Sequence, residues 1–112
     1  MRVTVKRTRP YERKCKKLLD IKAMASLETA IAENPLRWPV VRGTGGVRKA
    51  RHALPGRGKS GGIRAAYYFH ARGPTVYMLT VYGKSEKDNL SDADKALLKQ
   101  IVVAIKAATS EE

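Results

Sequence analysis

Residues 43–69 read GTGGVRKARHALPGRGKSGGIRAAYYF and hold seven of the chain's nine glycines, six lysines or arginines and no acid. How this stretch folds decides the rest. As a phosphate-binding loop it would open a helix; as two strands joined by a glycine-rich turn it would form the middle of a sheet. The run from Ala53 to Ser60, ALPGRGKS, comes close to a P-loop, with Ala53 in place of the first glycine. That motif works by wrapping backbone N–H groups around phosphates at the start of a helix. Here Gly61-Gly62 comes next, and then IRAAYYF, which is strand-like. Gly43-Thr-Gly45-Gly46 likewise lacks the helix that a dinucleotide fingerprint requires. Two strands remain, Val47–Leu54 and Ile63–Ala71.

Outward from this pair, Thr75–Lys84 (TVYMLTVYGK) is rich in β-branched and aromatic residues and reads as a third strand, entered through a turn at Arg72-Gly73-Pro74. A further short strand near Trp38–Val41 fits the pattern. Upstream, RVTVKR at residues 2–7 alternates as a first strand, and Pro10 suits the first turn of a helix over Tyr11–Leu19. Asp20 is placed to cap a second helix, Ile21–Glu33, whose Ile21, Met24, Leu27 and Ile31 recur at helical spacing until Asn34-Pro35 stops it. Downstream, Ser91-Asp92-Ala93-Asp94 resembles a capping box. Leu97, Leu98, Ile101, Val102 and Ile105 come after it as one apolar stripe. The order β-α-α-β-β-β-α predicts an α+β fold: a small, mostly antiparallel sheet with an N-terminal helical hairpin and a C-terminal helix. With no repeat, linker or low-complexity tract, residues 1–112 read as one domain.

A chain of 112 residues buries roughly two-thirds of the surface it would expose unfolded, enough for a core without staples. Hydrophobic residues at 43% and charged ones at 29% exclude a disordered chain. The single cysteine, Cys15, rules out an internal disulfide and suits a reducing compartment. Its neighbours in ERKCKK are cations that would lower a thiol pKa, but no motif surrounds it. The N-terminus, MRVTVKRT, has no apolar signal region and no run is long enough to span a membrane, so a cytoplasmic protein is expected.

The net charge of +13 is clustered. Residues 1–22 carry nine basic and two acidic side chains, and residues 42–64 carry seven basic and none acidic. Residues 65–112 carry six of each. Clustering of this kind is the electrostatic footprint of a polyanion binder. Alternate residues of a strand share a face, so Lys49 and Arg51 point the same way, and Arg64 joins them if the register allows. Ala66, Tyr68 and His70 share the face of Arg64, and Tyr82 and Lys84 share a face, with Lys87 just beyond. Such cations would neutralise the charge that builds on phosphoryl oxygens during transfer. His52 and His70 carry the side chain whose unperturbed pKa is near neutrality, and either could act as a general base or acid; His52 has the wrong parity for this face, and His70 the right one but near a strand end. Tyr67, Tyr68, Tyr77 and Tyr82 are candidates to stack on bases, with Tyr68 and Tyr82 singled out, although strand tyrosines also build cores and about two of the four are expected there. Arg48, Arg57, Lys59 and Lys87 complete the expected nucleic-acid contacts.

GTGGVRKAR (43–51), GKSGGIRAAYYF (58–69) and VYMLTVYGKSEKDNLS (76–91), in that order and spacing, resemble the HigB branch of the RelE/ParE toxin superfamily. The resemblance implies the toxin of a type II toxin–antitoxin pair. It would cut mRNA in the ribosomal A site without metal or cofactor, and a helix-turn-helix (HigA-like) antitoxin would restrain it. Position by position, it implies that Lys49 and Arg51 are the basic pair of the second main strand and that Arg64 stabilises the scissile phosphate. GKSEK would be the basic stretch closing the site, with Lys84 and Lys87. The pattern's arginine after the GK pair is replaced by Ser85, and its downstream tyrosine by Ser91, which leaves the general base open. A lysine serves as base only if cationic neighbours depress its pKa. The basic segment 6–17 reads either as a contact to 16S ribosomal RNA or as a solvated helix face. Two other functions stay open: a non-catalytic RNA- or ribosome-binding module, and a ParE-like inhibitor of DNA gyrase.

Overall fold

The computed structural model describes residues 2–53, 62–84, 86 and 89–109. Its elements are β1 (Thr4–Arg7), α1 (Arg9–Leu18), α2 (Ile21–Glu33), β2 (Val47–His52), β3 (Ile63–His70), β4 (Thr75–Gly83) and α3 (Asp92–Thr109). The four strands form one mixed sheet in the order β1-β4-β3-β2. β2, β3 and β4 are antiparallel neighbours, while β1 runs parallel to β4 at the edge. The α+β expectation holds in element order and type. The strand expected near Trp38–Val41 reduces to one isolated bridge, Val40 to Arg48.

Local chemistry sets the helix ends. Asp20 accepts a hydrogen bond from Ala23 N at 2.8 Å, satisfying an orphan donor of α2. Ser91 and Asp94 cap α3 reciprocally: Asp94 N donates to Ser91 Oγ and Ser91 N to Asp94 Oδ2, both at 3.0 Å. Thr8 precedes α1 without capping it. Its hydroxyl donates instead to Met78 O at 2.8 Å, tying the β1–α1 corner to β4. That contact lies where β4 carries one extra residue: Ala66 pairs with Thr80 but Tyr67 with Met78, leaving Leu79 as a bulge.

The alternation of the strands splits the core. Ala50, Ile63, Ala65, Tyr67, Val76, Met78 and Val81 pack under the α1–α2 hairpin with Tyr11, Cys15, Leu27 and Ile31. Val47, Ala66, Tyr68, Leu79 and Tyr82 pack under α3 with Leu90, Leu98 and Val102. The sheet is therefore covered on both sides, by the hairpin on one face and α3 on the other. Among the described residues, no helix is long and apolar enough to cross a membrane.

The GTGG turn is built for packing and not for phosphate. Gly43, Gly45 and Gly46 all have positive φ, and a Cβ on Gly46 would stand 3.2 Å from the Tyr68 ring. Thr44 is fully buried; its hydroxyl donates to Val41 O at 2.6 Å and accepts from Val47 N at 3.0 Å. The P-loop-like residues 54–60 lie outside the described residues.

Candidate functional site

The register answers what parity left open. Arg51 pairs with Arg64, and Arg64 with Tyr82, in one row across β2, β3 and β4. The next row is Lys49, Ala66 and Thr80. Residues directly opposite in an antiparallel pair share a face, with Cβ atoms about 5 Å apart, and like charges so placed repel. Three cations thus meet at one end of the α3 face. Lys84 follows β4 at the same end, its N–H donating to Gly62 O at 3.3 Å.

The three differ in exposure. Arg64 is only 8% exposed, in a central strand, and Nη1 donates to Ile63 O at 3.4 Å. Arginine is seldom so buried unless it is paired. Lys49 is half-buried, with Nζ 3.5 Å from Asn89 Oδ1, and Arg51 is exposed on the edge strand. Asn89 lies on the β4–α3 connection, so that segment passes beside the cations. A buried Arg with two cations on the same face is an arrangement that can meet charge growing on phosphoryl oxygens. Among the described residues, no three His, Cys, Asp or Glu side chains converge as a metal-ligand set.

Other expected site residues lie elsewhere. Tyr82 is 1% exposed and Tyr68 9%, both in the core under α3, so neither presents a ring to a base. Burial raises the Tyr68 pKa, with the neighbouring Tyr77 adding to the effect. Arg48 faces the hairpin side, where Nη1 donates to Trp38 O and to Leu36 O; it braces a loop. His70 has the parity of Arg64 but lies six residues further along β3, about 20 Å away at an ordinary strand rise. His52 lies on the hairpin face beside Ser26, at 3.3 Å, and burial lowers its pKa. The described residues therefore bring no imidazole to the cations. Ser91, at the position of the pattern's tyrosine, is occupied as the α3 cap. Arg57, Lys59 and Lys87 lie outside the described residues.

The hairpin face holds a polar network that sequence reasoning missed. Arg7 grips Glu28 through Nε and Nη2 at 2.9 and 3.0 Å, and Tyr11 donates to Glu28 Oε2 at 2.7 Å. Burial and that hydrogen bond push the Tyr11 pKa far up. Beside it, burial raises the Cys15 pKa, against the lowering that its cationic sequence neighbours suggested. Only a face assignment for Glu28, on an otherwise Ala-rich helix, would have revealed the network.

Comparison with known proteins places this architecture. Residues 3–112 match the family described as RelE toxin of the RelE/RelB toxin–antitoxin system. Among solved structures, a double arginine-to-alanine mutant of the Escherichia coli toxin RelE in the free state superposes with a TM-score of 0.56 at 16% identity. That match covers 79% of this chain and 90% of the other. The toxin–antitoxin complex RelBE2 of Mycobacterium tuberculosis gives 0.56 at 24% identity, covering 74% and 99%. A conserved hypothetical protein of Helicobacter pylori gives 0.54 at 19%, covering 75% and 97%. At such identities these structures share the fold, whereas the family match runs through β1, both layers of the core and α3. On that match, the chain belongs to the RelE family of toxins of toxin–antitoxin systems.

Proposed function

We propose that this toxin, a single RelE-like domain over residues 1–112 of the HigB branch, is a ribosome-dependent mRNA endonuclease. The observation that carries the reading is the row of Arg51 opposite Arg64, with Lys49 one row away on the same face. Cations gathered on one face supply the positive charge that stabilises a phosphate diester and the charge that grows on it during transfer.

In this reaction the ribose 2′-oxygen bonds to the adjacent phosphorus while the bond from phosphorus to the 5′-oxygen breaks. The 2′ proton leaves to a base or water, and the departing 5′-oxygen takes up a proton. A 2′,3′-cyclic phosphate and a 5′-hydroxyl end result. Arg64 meets the charge on the non-bridging oxygens, with Lys49 and Arg51 holding the strand in line and Lys84 closing the end. Positioning and electrostatics then supply most of the acceleration. As a member of a toxin–antitoxin family the protein has a cognate antitoxin; a HigA-like helix-turn-helix protein fits the branch. Contacts to 16S ribosomal RNA through the basic segment 6–17 belong to the same reading.

Primer extension on mRNA from cells expressing the protein tests it. New 5′ ends within translated codons, absent with Arg64→Ala, are the expected result; growth arrest without new ends would overturn it. One observation favours a second reading. With His52 on the opposite face and His70 six residues along β3, the cations have no imidazole beside them, which suits a module that holds RNA or the ribosome without cutting, and the same experiment separates the two.

A further inference from the structure

Tyr68 and Tyr82 are buried, yet an aromatic surface does border the cations. Trp38, the chain's single tryptophan, is half-buried at the β2 edge, with part of its side chain against the hairpin-side core. The guanidinium of Arg37 lies 4.8 Å from its ring centroid and that of Arg51 5.8 Å, both within cation–π range. Arg51 also stands opposite Arg64, in the row proposed above to hold phosphate. The backbone beneath is pinned: Arg48 donates to Trp38 O, Tyr67 donates to Pro35 O at 2.7 Å, and Val41 N donates to Val47 O at 2.7 Å. No Asp or Glu occurs between Glu33 and Glu86, so no carboxylate of this region neutralises the two arginines.

Resting on the RNA reading above, we propose that Arg37, Trp38 and Arg51 form a nucleobase-binding ledge for a base next to the phosphate held by Arg64. Unpaired bases are recognised by stacking on aromatic rings and on guanidinium planes, and this ledge offers both, joined to a phosphate site through Arg51. Arg48, at the wrong parity for RNA, then serves the site indirectly by fixing the Trp38 backbone.

The lone tryptophan makes the ledge directly observable. A short 2′-O-methyl oligoadenylate, which lacks the attacking hydroxyl, is titrated against the full chain beside an abasic oligomer of the same backbone. Fluorescence polarisation of a labelled end reads binding and tryptophan emission reads stacking. The ledge predicts quenching by the oligoadenylate alone and an affinity roughly 5- to 100-fold above that of the abasic strand. Trp38→Leu should level the two affinities, and Trp38→Phe should keep the preference. Equal affinities with unchanged emission would overturn the ledge and leave the phosphate row standing. If neither oligomer binds, the RNA reading is overturned together with the ledge. The comparison of the two oligomers on the unmodified chain decides the matter even if a variant misfolds.

Discussion

The two faces of the sheet share the same strands and use their charges in opposite ways. On the hairpin face, polar groups are satisfied from within the fold: Glu28 by Arg7 and Tyr11, the Trp38 carbonyl by Arg48, and Pro35 O by Tyr67. On the α3 face, cations are set opposite one another in Arg51 and Arg64. Arg48 and Arg51 stand three residues apart on one strand, and their parity alone assigns one to bracing a loop and the other to the candidate site. A basic sequence therefore does not translate directly into a basic working surface. Strand parity sorts the arginines that brace the fold from those that gather at the site.

The contrast yields four predictions, ordered by expected effect. Tyr82→Ala should behave as a core deletion and not as the loss of an RNA contact. It should destabilise the fold by about 3–5 kcal/mol, read by denaturant unfolding. A soluble, fully stable variant with weakened RNA binding would instead put Tyr82 in the site. Arg64→Ala should leave a cooperative unfolding transition while lowering RNA cleavage by about 10²–10³-fold, the loss typical of removing one donor to a charged transition state. An active variant would remove Arg64 from the site.

Glu28→Ala tests the other face. It strands the Tyr11 hydroxyl and the Arg7 guanidinium and should cost about 2–3 kcal/mol of stability. The cleavage rate per folded molecule should stay unchanged; a loss of rate would mean the faces are coupled. The smallest effect concerns His52. Its folded-state pKa is lowered by burial, so the unfolded chain binds the proton more tightly. The stability this contributes is present above the ordinary histidine range and falls as pH drops through it toward the depressed folded value. Unfolding measured between neutral and mildly acidic pH should show that decline, and His52→Gln should flatten it. An unchanged slope in the variant would assign the decline to other groups.

Local patterns in the chain carried much of this. The α2 boundaries, the Asp20 cap, the Ser91–Asp94 box and the turn at Gly73 could each be read from a few neighbouring residues, because capping and turn chemistry act within four positions. Arg64 could be singled out because a cation inside an apolar strand segment is conspicuous on its own. Tyr68 and Tyr82 could not be resolved, since a strand tyrosine suits a core and a stacking platform equally until the layer above it is known. Here α3 supplies that layer, through Leu98 and Val102. Trp38 escaped for a related reason: its partners Arg37, Arg48 and Arg51 come from a loop and an adjacent strand whose approach no local pattern records.

By itself the sequence determined the element order, the clustering of positive charge and the parity of each strand residue, because these depend on composition and on a fixed period of two. Only the tertiary structure decided which parity faces the hairpin and which faces α3, and that Arg51 stands opposite Arg64. Register and layering depend on contacts between residues distant in the chain, and those contacts turn a basic glycine-rich stretch into one braced face and one candidate site.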